Sequence, residues 1–369
     1  MLEQADQVEQ WVGEICRRAI APAPMLTVAQ WADRYRILPP TSAEPGPWRT
    51  ERLPFLREIM DAMTPSSPVE RVVVMKSAQV GCTEALLNLI GFAIHHVPSN
   101  ILLVMPSTEM IRRNTPTRID PFIDSTPVLR ERVVPFRSRD PGNTAARKAF
   151  RGGELLMVGA NSPAAFRSIP ARFILLDEVD SYPGDVGGEG DPVALASRAA
   201  MTFRGRRKIV LVSTPTIAGF SRIERAFLEG DQRRLLSPCV HCAEPFEMRF
   251  EHVTWPEGRR ELAQLTCPHC GCGIEDHQRL AMLGKSFWKA TAEGDGRTAS
   301  FAIGGLASPF TDARELAIEH GQAYRDPARL KTFKNIRLGE LWTEDAEPVP
   351  AAAAFLARLE EWGERLPAG

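Results

Sequence analysis

The sequence lacks an excess of either charge. Its 45 lysines and arginines face 46 aspartates and glutamates, for a net charge of −1. That balance excludes a globally basic nucleic-acid binder, so any DNA contact must use a local patch. Long apolar runs are missing too. The longest, near Leu86–Ile94 and Ile101–Met105, are too short to span a bilayer. The N-terminus, MLEQADQVEQW, is polar and acidic and does not read as an export signal. No internal repeat is present, which removes solenoid and propeller architectures. Cysteine is scarce, seven in 369 residues, and four of the seven fall into two C-x-x-C pairs. In an intracellular protein such pairs point to metal rather than disulfides.

What is there reads as a soluble chain with 44 % hydrophobic and 25 % charged residues, long enough for two domains. Residues 1–50 carry an amphipathic helix candidate, Val8–Ile20, and a Pro-rich connector. Residues 51–235 alternate short apolar runs with helical patterns: RVVVMKS, ILLVMPS, ELLMVG, FILLD and KIVLVS. Near-continuous apolar strands between helices imply an α/β fold, a P-loop-type parallel sheet with helices on both faces. Residues 236–285 hold the C-x-x-C pairs and read as a small insertion. Residues 286–345 return to α/β texture as the remainder of the core, and 346–369 read as a linker.

The segment Lys76–Thr83 fails the standard phosphate-loop pattern. Gly81 and Thr83 fit, but Lys76 stands at the first glycine and Cys82 at the lysine. The mechanism is still served. VVVM is the strand, SAQVG the turn and TEALLNLIG the helix. Backbone N–H groups of Ser77, Ala78, Gln79, Val80, Gly81 and Cys82 can cradle phosphates, Lys76 can supply an ammonium, and Thr83 can hold Mg²⁺. The plain alternative is a strand-to-helix turn without a ligand.

About a hundred residues on, RFILLDEVD places Asp177 and Glu178 at the end of a buried strand. Asp177 is the candidate Mg²⁺ ligand and Glu178 the base that polarises water for ATP hydrolysis. A third strand, IVLVSTPT, ends in Ser213 and Thr214, which can sense the terminal phosphate. Cys239-x-x-Cys242 and Cys267-x-x-Cys270 form two knuckles of a Cys₄ zinc ribbon, a closed structural site. Cys272 is a spare, and His241 and His269 are weaker ligands. Arg233, Arg234, Arg249, Arg259 and Arg260 suggest a DNA-facing surface on this insertion. Asp185, Glu189 and Asp191 read as a mobile, solvated Gly-rich turn.

KSAQVGCTE, LLDEVD, LVSTPT and FAIGGLASPF…LKTFKNIRLGELW together resemble the large terminase subunit of tailed phages, in the lambda-like GpA branch. The resemblance runs from about residue 25 to the end. It implies an ATP-driven motor that moves double-stranded DNA into a phage procapsid. The implied partners are a terminase small subunit, the portal and further copies in a ring, in the host bacterial cytoplasm and away from membranes. It makes Lys76 the displaced loop lysine, Asp177 and Glu178 the Mg²⁺ ligand and catalytic glutamate, and Ser213 and Thr214 the coupling motif. Cys82 departs from the lysine that many members carry there. Trp48 or Arg49 becomes the adenine contact, although Trp48 suits a core position equally. Arg167 matches a trans-acting arginine, with Arg172 beside it. Family members usually add a nuclease after a similar L-P-A-G; since the sequence ends ERLPAG, an ATPase lacking its nuclease is expected. The rival readings are a helicase-like translocase and a zinc-ribbon DNA-binding remnant with a decayed ATP site.

Overall fold

The computed structural model describes residues 11, 25–135, 142–162, 166 and 170–343. The expected helix Val8–Ile20, Arg167 and the closing segment 346–369 lie outside the described residues, except for Trp11. No helix among the described residues is long and apolar enough to cross a membrane.

A ten-stranded sheet organises the chain. Its strands are β1 (Arg71–Lys76), β2 (Ile101–Met105), β3 (Arg147–Phe150), β4 (Gly153–Gly159), β5 (Phe173–Asp177), β6 (Lys208–Ser213), β7 (Arg233–Pro238), β8 (Pro245–Phe246), β9 (Phe287–Lys289) and β10 (Thr298–Ile303). The order is β8-β7-β10-β1-β6-β5-β2-β4-β3, with β9 also on β7. The contiguous strands from β7 to β4 are parallel. Side chains of each central strand alternate between two cores. Val72, Val74, Phe173 and Leu175 enter one, while Val73, Met75, Ile174 and Leu176 enter the other. Burial on both faces explains why these strands are written as unbroken apolar runs.

The edges depart from the expected parallel sheet. β3 pairs antiparallel with β4, and β8 and β9 pair antiparallel with β7. Phe150 faces Gly153 across a two-residue turn, and so short a connection permits only an antiparallel hairpin.

Three helices cover the first core: α1 (Val28–Tyr35), α2 (Leu56–Ala62) and α3 (Cys82–His95). Thr27 caps α1 through a reciprocal bond with Gln30. Within this layer the buried Trp31 donates its indole N–H to Nδ1 of His95 at 3.0 Å. Burial, then Arg132 and His96, hold that imidazole down at about 4. Its pKa in the fold lies below the unfolded value, so the stabilisation is complete above pH 6.5 and is lost as pH falls from 6.5 towards 4. Because the ring is half-exposed, solvent screening reduces the expected loss to about 1 kcal/mol. Thermal melts at pH 7 and pH 5 check this; an equal pH dependence in His95→Gln refutes it.

The second core is covered by α4 (Pro192–Arg198) and α5 (Arg222–Leu228). The Gly-rich loop before α4 is largely exposed, as expected of a solvated turn, and its acids make local bonds. Asp185 accepts from the N–H groups of Gly188 (2.5 Å) and Gly190 (2.8 Å). Asp191 caps α4 and pairs with Arg222 at 3.0 Å. Arg222 also donates to the carbonyls of Tyr182 (2.7 Å) and Pro183 (2.5 Å), which pins the turn that follows Glu178.

Candidate active site at the carboxyl ends of the central strands

β1, β5 and β6 all end on one rim of the sheet, delivering Lys76, Asp177 and Ser213 to the same place. Between β1 and α3 the backbone turns through two left-handed residues, Gln79 (φ 57°) and Gly81 (φ 79°). Glycine is required at Gly81 twice over. A side chain is strained at that φ, and a Cβ would lie 2.5 Å from Leu53 Cδ1. Loops of this kind turn successive N–H groups inward as an anion nest. The loop borders a cavity of about 730 Å³ lined by Lys76, Ala78–Glu84, Arg118, Glu178, Thr214 and Phe310. Ser77 and Ala78, however, donate their N–H groups to Ile303 O and Ile336 O, so the expected cradle narrows to Gln79, Val80, Gly81 and Cys82.

The acids behave differently from each other. Glu178 has left-handed backbone (φ 55°, ψ 54°), which for a non-glycine costs about 1–2 kcal/mol. Its Oε1 accepts from Lys76 Nζ at 2.6 Å. Its Oε2 faces the end of β6, accepting from Thr214 N–H (3.2 Å), Thr214 Oγ1 (3.5 Å) and Ser213 Oγ (3.4 Å). Asp177 has a buried Oδ1 with no hydrogen-bond partner among the described residues. Burial and Glu178 push its carboxyl up to about 6, opposed by Lys76 and Arg118. An unpartnered buried carboxylate oxygen calls for a cation, and Thr83 lines the cavity in the first turn of α3. This donor set fits Mg²⁺. Cys82 adds no charge, since burial pushes its thiol up to about 12.

Trp48 and Arg49 line a second cavity, of about 280 Å³, which shares Gly81, Glu84 and Phe310 with the first. Trp48 is buried and donates Nε1–H to Thr50 Oγ1 at 3.0 Å, so its ring forms a fixed wall. Arg49 is exposed. Arg172 stands at the start of β5, the opposite end from Asp177, and donates to Arg206 O at 2.8 Å. It is therefore not at this chain's own site.

The segment Phe333–Trp342 was legible only as a family mark. In the fold it clips the loop to β6. Ala78 N–H donates to Ile336 O (2.7 Å), and Ser77 N–H to Ile303 O (2.9 Å). Asn335 Nδ2 donates to Thr216 O (2.6 Å) and Glu340 O (3.0 Å). Trp342 N–H also donates to Thr216 O, at 2.9 Å. Gly339 (φ 72°) allows the close approach, since a Cβ there would lie 2.6 Å from Ser77 N. Gly339→Ala is expected to raise the KM for ATP about tenfold, from a φ penalty of about 1–2 kcal/mol at the loop. An unchanged KM would exclude this contact as a support of the loop.

Cys239, Cys242, Cys267 and Cys270 converge, with all four sulfurs within 4.8 Å of one another. The Cys239–Cys270 and Cys242–Cys267 pairs stand 4.0 and 3.8 Å apart. Tetrahedral thiolates at about 2.3 Å from zinc lie about 3.8 Å apart, so the set fits a Cys₄ zinc site. Cys272 is exposed, and His241 turns its Nε2 to Gly273 O at 3.1 Å. The nearby arginines expected to face DNA have acidic or aromatic neighbours. Arg233 pairs with Glu58 (2.5 Å) and Asp231 (2.7 Å), Arg234 with Glu247 (3.7 Å), Arg249 with Glu251 (2.9 Å) and Arg259 with Glu261 (3.1 Å). Arg260 lies over the rings of Trp255 and Tyr324.

Sequence reasoning missed Arg118, Phe310, Asn335 and Gly339 at this site. Phe310, Asn335 and Gly339 lie in the segments that carry the family resemblance and Arg118 in none of them, but only the fold brings all four to the loop.

Two family models match the chain. Residues 42–288 match the family model for "Phage terminase large subunit gpA, ATPase domain". Residues 298–369 match "Terminase large subunit gpA, endonuclease domain". The second match overturns the expectation of a chain without its nuclease part. That expectation rested on the closing ERLPAG and set aside the earlier carboxylates Asp185, Glu189 and Asp191, whereas the match begins at β10, inside the main sheet. The chain is 30 % identical to the "Terminase, large subunit" of Enterobacteria phage P21, covering 88 % of this chain and 54 % of that one. It is 26 % identical to the subunit of the same description from Escherichia phage lambda, covering 99 % and 60 %. The chain thus spans little more than half the length of these relatives. A crystal structure of the HK97 bacteriophage large terminase shares the fold, with a TM-score of 0.52, 14 % identity, and coverage of 86 % of this chain and 56 % of that one.

Proposed function

We propose, since this chain belongs to the phage terminase large subunit gpA family, that it hydrolyses ATP in the rim cavity and uses the energy to move double-stranded DNA into a procapsid. The observation that carries this reading is Glu178, held at once by Lys76 of the loop and Thr214 at the end of β6. One carboxylate thereby touches both the phosphate-binding element and the strand end expected to report on the phosphate.

In this reading the N–H nest and Lys76 take the phosphates, with Lys76 leaving Glu178 to do so. Asp177 and Thr83 would hold Mg²⁺, which when bound neutralises phosphate charge. Glu178, released from Lys76, accepts a proton from the attacking water. Ser213 and Thr214 sense the change at Glu178 and pass it along β6. Trp48 and Arg49 flank the base in the adjoining cavity. Lys76 answers the reading of a decayed site: it supplies the ammonium that Cys82 lacks. Arg167 would complete the site of a neighbouring copy in a ring. The Cys₄ set would hold zinc as a closed structural staple. Membership of the family supports a small subunit and the portal as partners, and the host cytoplasm as the location.

Phosphate release by the purified chain, with Mg²⁺ and with or without linear duplex DNA, tests the reading. Mg²⁺-dependent turnover that rises with DNA is expected. Absence of turnover under both conditions would sink it.

A further inference from the structure

The proposed ATP site gives the terminal phosphate one cation from this chain, Lys76. A second reaches the same cavity. Arg118 lies on the π-helical turn Thr115–Ile119, in the crossover after β2, and β2 is the sheet neighbour of β5. Its exposed side chain lines the cavity with Lys76, Thr83, Glu178 and Thr214. Residues on both sides anchor it. Thr115 is buried and donates Oγ1–H to Ile111 O or Ala145 O, each at 2.8 Å, and Ile119 is buried. Among the described residues Arg118 has no hydrogen bond or ion pair, unlike most arginines of the Cys₄ insertion. An always-charged guanidinium beside an anion nest, with its donors unused, is suited to a phosphate. Inserted π turns recur at functional sites because they re-aim a side chain out of the regular helix.

We propose that Arg118 is a catalytic arginine acting in cis, donating to the terminal phosphate of the nucleoside triphosphate bound by its own chain. The proposal rests on ATP hydrolysis in this cavity. The water oxygen bonds to the γ-phosphorus as the bond to the β,γ-bridging oxygen breaks. The water proton passes to Glu178, the electron pair of the broken bond leaves on ADP, and Arg118 balances charge on the γ-oxygens.

The experiment compares wild type, Arg118→Ala and Arg118→Lys in ATP turnover, and in ADP and ATPγS binding by calorimetry. Arg118→Ala is expected to lower kcat at least about 100-fold. Its affinity for ADP should stay within twofold of wild type, and its preference for ATPγS over ADP should vanish. Arg118→Lys should restore part of the preference. Mixing Arg118→Ala with Glu178→Gln chains should restore no activity; restoration would show an arginine serving a neighbour and overturn the cis role. Turnover within threefold of an active wild type, with the ATPγS preference intact, overturns the proposal and leaves the ATPase reading standing. A wild type without turnover fails that reading instead. The binding arm still decides Arg118: a preference equal in wild type and Arg118→Ala, or absent from both, overturns its role.

Discussion

Glu178→Gln is expected to lower ATP turnover about 10³-fold while ATP binding holds or tightens several-fold. The amide keeps the shape of the side chain and can still accept from Thr214, so the end of β6 stays in place. It cannot take the proton of the attacking water. It also releases Lys76, whose 2.6 Å pairing with Glu178 must otherwise be broken before the ammonium reaches a phosphate. A loss of rate joined to tighter binding is the signature of that pairing. Lys76→Ala gives the contrast: rate and affinity fall together, because the cavity loses its buried cation and Glu178 loses its partner. Single-turnover hydrolysis and nucleotide calorimetry on both variants separate the cases. Weaker ATP binding in Glu178→Gln would show that the Lys76 contact does not compete with nucleotide.

The second large effect concerns metal. One zinc per chain is expected by elemental analysis, and Cys267→Ser is expected to lose it and lower the melting temperature by about 10 °C or more. Cys267 is buried, and its knuckle closes through Gly271 N–H to Cys267 O at 2.9 Å. Isolated zinc-binding modules draw about 10–16 kcal/mol of folding free energy from the metal. Here the loss spreads beyond the knuckles. Cys239 directly follows β7, which holds β8, β9 and β10 together on that side of the sheet. Chelation of wild type should reproduce the shift. A chain that purifies without zinc and melts like a chelated sample would remove the metal from the account.

The central strands were legible because each is buried on both faces, and such strands write their apolar run continuously, as in Val72–Val74 and Phe173–Leu176. Lys76, Asp177, Glu178, Ser213 and Thr214 were legible for the same reason. Each ends or follows one of those runs, and parallel strands deliver their ends to one rim. The antiparallel edge was harder to see, because its direction depends on a two-residue turn at Arg151-Gly152. Asn335 and Gly339 were out of reach as site residues, since their partners, Thr216 and Ser77, lie far away in sequence. Near the cysteines, Glu251 and Glu261 stand two residues from Arg249 and Arg259 in the sequence, but only the fold seats Arg233 beside Glu58 and Arg234 beside Glu247.

The placement of β10 sets an order of assembly. β1 is made early, yet its neighbour β10, whose last carbonyl at Ile303 braces Ser77, lies far downstream, and the Ile336 carbonyl that braces Ala78 comes later still. Pairings this distant close late in folding. The phosphate loop therefore gains its backbone braces only after residues 303–336 have been made.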